Sequence, residues 1–304
     1  MERRQFLKKS MITAGALGLL SAKGRAFPGI YENNSSMQGF KKSIMWGTIG
    51  IEGTTLEKCK AVKKAGFDGI EPNSHMDRKE VIDAMKAAGL VASSVCCTTH
   101  GNKPLSHPDS TIRKEGIEGA IVSIDDAKAY GTDAVLLIPG FVNNDVGYDE
   151  CWERSTEGIK QILPYAEKQN VKICLENVWN NFLLSPLEAC RYIDQFNSKA
   201  IGFYFDCGNI MAFGFPEQWV RILGNRIHRI HVKEYNREIS NNEGRYKGFN
   251  VKLGDGDVNW ARIIEEAKKS YRGQWFTTEQ SSSQSQTQEE MNDLCKRLDN
   301  IINL

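Results

Sequence analysis

The 304-residue chain reads as an α/β protein of the (β/α)8 TIM-barrel class. Three observations carry that reading. Eight short runs rich in Val, Ile and Phe recur along the sequence, the segments between them place apolar residues at helical spacing, and glycines follow several of those segments where a left-handed turn must lead into the next run. Eight parallel strands close a barrel of about 250 residues, a length that fits once the start of the chain is set aside.

The first run is SIMWGTI (43–49), and DGIEP (68–72) follows a helix that Gly66 ends. VASSVCC (91–97) comes after Gly89. Next, Ile117, Ala120, Ile121, Ile124 and Ala127 recur at three and four residues, turning one apolar stripe of a helix toward the sheet before Gly131 stops it. AVLLIP (134–139), VKICLE (171–176), IGFYFD (201–206), IHRIHVK (227–233) and QWFTTE (274–279) complete the eight. One barrel domain over 43–304 suffices, preceded by a leader at 1–26 and a linker at 27–42. The long segment 234–257 between the last two strands has the length of a functional loop.

Four runs end alike. Glu176, Asp206, His231 and Glu279 each stand at or next to the last position of an apolar run, where a charge is costly to bury unless it is paired or metal-bound. Any one of them alone reads equally well as a solvated strand end or an ion-pair partner. In a closed parallel barrel, however, all strand C-termini share one face, so the four converge. Three oxygen donors and an imidazole suit one divalent ion, Mn²⁺ or Mg²⁺ first and Zn²⁺ or Co²⁺ also. Around them, Glu71 ends the second run, His100 follows the third, Lys233 lies two beyond His231, and Arg237 opens the long segment; all four are candidate substrate contacts. Trp46 and Trp179, with Phe213 and Phe215, are candidate pocket walls, although large aromatics are more often core. His75, His107 and His228 are left outside the site.

The start of the chain carries a different signal. Arg3 and Arg4 precede Phe6, Leu7 and Lys8, then an apolar stretch from Met11 to Ala22 that is too short to span a bilayer. This resembles a twin-arginine export signal and implies a periplasmic protein with no membrane segment after its removal. Residues 1–26 hold six basic residues and one acidic. Without them the chain's 39 basic and 38 acidic residues become 33 and 37, a mildly acidic balance that argues against a nucleic-acid partner. Eight cysteines are scattered without a CxxC pattern, which supports no cysteine zinc site and reads as free apolar filler.

The segments GFDGIEPN (66–73), LENVWNNFLLSPLE (175–188), YFDCGNIMAFGFPEQWVRILG (204–224), IHRIHVKEYN (227–236) and LGDGDVNW (253–260) resemble, in order and spacing, the sugar phosphate isomerase/epimerase family of xylose isomerase-like TIM barrels. The resemblance spans roughly 43–300. It implies that Glu176, Asp206, His231 and Glu279 hold the metal and that Glu176 and Glu279 also move the proton. Members similar to D-tagatose 3-epimerase carry a glutamate and a histidine where this chain has Phe182 and Asn209, so those two positions, Asn209 foremost, are candidates for setting substrate preference. Arg237 matches their substrate-contacting arginine. The implied activity is a metal-dependent sugar isomerase or epimerase that acts on a keto-sugar or related polyol through a metal-stabilised enediolate. Two readings stay beside it: a lyase or dehydratase of a keto-sugar or 3-keto-glycoside using the same enolate, and a catalytically silent sugar-binding protein. A phosphodiesterase of the AP-endonuclease type would need more histidines and a basic face. The expected partner is a small carbohydrate, with self-association left open. Deleting residues 1–26 is expected to leave the melting temperature unchanged, and a substantial loss in a thermal melt would make the leader part of the fold.

Overall fold

The computed structural model describes residues 39–304, so the expected leader and the linker up to residue 38 lie outside the described residues. Nine strands form one sheet: β1 (Lys41–Met45), β2 (Gly69–Glu71), β3 (Val91–Ala92), β4 (Val95–Cys96), β5 (Ala134–Leu137), β6 (Lys172–Glu176), β7 (Ile201–Asp206), β8 (Ile227–Val232) and β9 (Trp275–Thr278). Every pairing is parallel, and the order is β3-β2-β1-β9-β8-β7-β6-β5-β4. The first strand is joined to the last through Lys41 opposite Trp275 and Ile44 opposite Thr278.

Both ends of that order come from the third apolar run, which is one strand in the sequence reading and two short pieces here. The ring still closes through it. Ser93 N donates to Ile70 O (2.8 Å) and Cys96 N to Pro72 O (2.9 Å) on one side, while Cys97 N donates to Leu136 O (3.1 Å) on the other. The break falls at Ser93 and Ser94 because the Ser93 carbonyl is turned toward side chains, accepting from Arg229 Nε (2.7 Å) and Thr132 Oγ1 (2.9 Å). The first run also differs: its strand begins at Lys41, and Trp46–Thr48 is a 3-10 turn.

Helices between the strands form as their sequences require. Thr54 caps the helix Thr55–Ala65 in a reciprocal box with Glu57, and Gly66 leaves it at φ 104°, a conformation a side chain would oppose. Gly89 and Gly131 end the next two in the same left-handed region. Within Ser110–Tyr130, Ala120, Ile124 and Ala127 of the apolar stripe are buried, and Ile117 packs at its edge. The main core lies between the outer face of the barrel and the helices, whereas Cys96, Ala134, Leu136, Cys174 and Tyr204 form a separate small group. All eight cysteines are unbridged. No described helix is long and apolar enough to cross a membrane.

At the N-terminal end of the barrel, Arg229 is 3% exposed. Besides Ser93 O it donates to His228 O (2.9 Å) and to the half-exposed carboxylate of Asp133, which His228 Nε2 also reaches (3.0 Å). Burial works against that carboxylate, but the hydrogen bond from His228 and the guanidinium of Arg229 outweigh it and hold the acid well below its ordinary range. A depressed acid contributes stability that is present above its unfolded-state value and is lost as pH falls. Asp133→Asn is therefore expected to cost about 1–3 kcal/mol at neutral pH, since it leaves a buried guanidinium underpaired. The gap to wild type should narrow below about pH 4. Urea melts at pH 7 and pH 3 check both, and an equal gap at the two values would assign the effect to packing instead.

Candidate metal centre

Glu176 is the last residue of β6, Asp206 the last of β7, His231 the fifth of β8, and Glu279 the residue after β9. These are four neighbouring strands, so parallel pairing brings their C-terminal ends onto one arc. One ligand atom from each lies within 4.8 Å of all the others. His231 Nδ1 is 2.9 Å from Glu176 Oε1 and 3.1 Å from Glu279 Oε2. His231 is fully buried, and Glu176 nearly so.

Asp206 serves two ends at once. Its Oδ1 accepts the Asn209 N–H (2.6 Å) and so caps the short helix Cys207–Ile210, which leaves Oδ2 free to face the centre. Asn177, one residue past β6, accepts from Asp206 N and donates to Asp206 O (2.9 Å each), while Asn209 Nδ2 donates to Asn177 O (3.0 Å). These bonds lock the loops after β6 and β7 together. Asn177 is outside the residues the sequence marks; its signal is its place immediately after a ligand, where its amide can pair with the next strand's backbone.

Lys233 lies 2.8 Å from Glu279 Oε2 and 3.4 Å from Asp206 Oδ2. Even so, Asp206 Oδ2 and Glu279 Oε2 are buried without a donor aligned for a hydrogen bond. With Glu71 behind His231, four carboxylates here face two cationic groups, Lys233 and His231. The titration directions express that excess of acid. Burial drives Asp206 up to about 7 against the pull of Lys233, and it raises Glu176 against the pull of His231. Glu279, although burial opposes it, is held below the carboxylate range by Lys233 and His231. His231 would be lowered by burial, yet Glu71, Glu279 and Glu176 lift it well above 6.5. Unsatisfied oxygens, surplus negative charge and an imidazole nitrogen in reach of three carboxylates are what a divalent cation needs. The residues fit the group.

The other candidate contacts are dispersed. Glu71 is fully buried behind His231, 3.1 Å from its Nε2, so it cannot touch a substrate in the mouth. Arg237 is committed to the loop after β7: its guanidinium donates to Met211 O (3.3 Å) and Gly214 O (2.9 Å) and stacks over Phe215. Phe182 is 1% exposed among Tyr148, Trp152 and Tyr192, in the core between helices and away from the centre. A glutamate would need water there, and phenylalanine does not, which explains why the chain packs this position inward. Asn209 stays near the centre, 3.5 Å from Lys233 Nζ. Trp179 donates from Nε1 to Asn209 O (2.8 Å) and packs against Phe249, whose ring lies 5.3 Å from Lys233 Nζ. His100 accepts from Ile138 N (3.3 Å), and burial lowers it to about 4, so it is neutral. Trp46 caps β1 beneath Lys58. Phe213 and Phe215 are half-exposed.

Glu234 is a second functional residue that its sequence position does not mark. It is fully buried and accepts from Gly254 N (2.8 Å), Val258 N (3.1 Å) and Trp260 Nε1 (2.7 Å), fastening both ends of the 234–257 segment. That segment is an ordered cap containing the helix Arg237–Glu243 and the 3-10 turn Arg245–Phe249.

Three comparisons bear on this arrangement. The family described as xylose isomerase-like TIM barrel matches residues 59–300. The L-ribulose-5-phosphate 3-epimerase UlaE of Escherichia coli is 26% identical over 229 residues, covering 71% of this chain and 78% of its own. Among solved structures, a D-tagatose 3-epimerase-like protein superposes with a TM-score of 0.72 at 17% identity over 87% of this chain and 97% of that one. An L-ribulose 3-epimerase superposes at 0.71 and 16% over 87% and 93%. At such identities the two structures establish the shared fold.

Mn²⁺ at 100 times its dissociation constant is expected to stabilise the protein by about 2.7 kcal/mol. Asp206→Asn should abolish that gain while leaving the metal-free protein at least as stable, because a carboxyl raised by burial no longer has to ionise. Thermal melts with and without Mn²⁺, alongside elemental analysis, check this; an unchanged Mn²⁺ response in the variant would remove Asp206 from the ligand set.

Proposed function

Because the chain belongs to the xylose isomerase-like TIM barrel family, we propose that it is a divalent-metal-dependent isomerase that epimerises an unphosphorylated keto-sugar or related polyol, exported to the periplasm. One observation carries the reading: Glu176 and Glu279 stand at the two ends of a four-strand arc, both within reach of the same His231 nitrogen, with their carboxylates turned on one small centre. Inverting a carbon beside a carbonyl requires that a proton leave one face and return to the other. Two carboxylates brought to one centre from the two ends of the arc suit that requirement.

A divalent ion held by Glu176, Asp206, His231 and Glu279 would supply Lewis-acid stabilisation of the charge that grows on the substrate oxygens. The chain's own groups do the rest. Glu279, the more exposed of the two at 21% against 6%, removes the proton from the face open to the mouth, and Glu176 delivers one from the other side. In the reverse direction they exchange roles. Lys233, beside Glu279, keeps that carboxylate ionised before the transfer. Phe249 and Trp179 wall the same side and keep water from it.

The name of the curated relative points to a phosphorylated pentulose. Here the two cations nearest the centre are already committed: Lys233 to Asp206 and Glu279, and Arg237 to backbone carbonyls. That favours an uncharged sugar. The test is deuterium wash-in beside the carbonyl, followed by NMR in D₂O with Mn²⁺-loaded protein and a panel of keto-sugars. Glu279→Gln keeps the size and one oxygen donor but cannot accept the proton, and it should lower exchange by about 10²–10⁴-fold. Near-normal exchange in a metal-replete variant would sink the two-carboxylate proposal, and exchange accompanied by release of a substituent would make the enzyme a lyase.

A further inference from the structure

Glu71 does not reach the mouth, yet both of its oxygens are hydrogen-bonded beside the centre. One oxygen meets His231 Nε2 at 3.1 Å. The other accepts from both Ser94 Oγ and Tyr204 OH. All of Glu71, Ser94, Tyr204 and His231 are fully buried. The Tyr204 ring also packs on the His231 ring, with centroids 4.3 Å apart and planes at 51°. The imidazole is thus held along its edge by Glu71 and across its face by Tyr204, and in this orientation Nδ1 faces Glu176 and Glu279.

We propose that Glu71, held by Ser94 and Tyr204, is a positioning residue for the metal centre: by accepting the His231 Nε2–H it presents Nδ1 with its lone pair to the ion. The chemistry is general. An imidazole has two nitrogens, and which one can ligate is decided by the partner of the other. Without Glu71 the ring could rotate about Cβ–Cγ or carry its proton on Nδ1, and either change removes one of four donors. The carboxylate also supplies charge behind the ring, which makes Nδ1 a better donor toward a cation. Ser94 and Tyr204 matter because a lone buried carboxylate would itself swing to find donors; two hydroxyls on its second oxygen leave it one pose.

This inference rests on the four-ligand reading of the centre, so ring orientation and ion uptake are measured separately. Long-range ¹H–¹⁵N spectra of the full chain loaded with Mg²⁺, a diamagnetic ion, report which His231 nitrogen carries the proton, and titration with Mn²⁺ or Co²⁺ alone reports affinity. In wild type the expected result is protonated Nε2 and a Co²⁺ visible spectrum with one imidazole ligand. Glu71→Ala should weaken Mn²⁺ binding by about 10–100-fold and mix the His231 tautomers. Glu71→Gln retains an acceptor and should fall between the two. Tyr204→Phe keeps the ring packing and removes one hydroxyl, so it tests the device even where Glu71→Ala fails to fold; a weaker loss of affinity with a shifted Nε2 resonance is expected. Unchanged affinity and unchanged tautomer in folded Glu71→Ala or Tyr204→Phe protein would overturn the proposal while leaving the four ligands intact. A wild-type chain that takes up no ion would overturn both.

Discussion

Mutual repulsion among buried carboxylates is the constraint around which the C-terminal end of this barrel is organised. Four acids from β2, β6, β7 and the end of β9 surround one imidazole, and nearly all are removed from water. Isolated charges in such a place cost several kcal/mol each. The arrangement stands because most of them commit an oxygen to a fixed neighbour: Asp206 to the Asn209 amide, Glu71 to two hydroxyls, Glu279 to Lys233. Much of the surrounding loop structure follows. The helix Cys207–Ile210 starts where it does because Asp206 caps it, and the loop after β6 lies against the loop after β7 because Asn177 and Asn209 join their backbones.

The same need for partners runs down the barrel axis. Parallel barrels are commonly filled by layers of bulky aliphatic side chains. Below Glu71 this one instead has Ser43 Oγ at 2.6 Å from Thr277 Oγ1 and 2.9 Å from Ser93 Oγ, with Tyr204 OH 3.3 Å from Thr277. Arg229 reaches the Ser93 carbonyl from the other end. Polar contacts therefore extend from the acidic cluster to Asp133 at the opposite surface. That continuity accounts for the broken third strand: the carbonyl that would extend its ladder is occupied by side chains from β8 and the approach to β5.

Those particulars separate what is legible in the sequence from what is not. The eight runs and the four strand-end ligands are legible because both depend on one-dimensional regularities, an apolar run closed by a charge and a helical stripe closed by glycine. The break at Ser93–Ser94 is not, since nothing in VASSVCC reveals that Arg229, 136 residues on, takes its carbonyl. Glu71 and Arg237 stand at strand ends or loop starts as substrate contacts would, but the direction of a side chain there is settled by partners that only the closed ring provides. Phe182 departs from its sequence expectation for a related reason. Its match to a glutamate position of the epimerase-like members points to the mouth, whereas the turn at Asn181 and Leu183, both at positive φ, accompanies its packing in the aromatic core.

The position of Glu279 on the final strand has a consequence for assembly. Glu176, Asp206 and His231 are made in order on three adjacent strands, but the fourth donor arrives only when β9 docks between β8 and β1, the step that joins the first and last strands of the ring. Such a pairing between distant segments pays its loop entropy before it gains contacts, and so tends to form late. An ion with all four donors can exist only after that closure. Occupancy thus reports a finished barrel, and by mass action the ion draws the population of nearly folded chains toward the closed one.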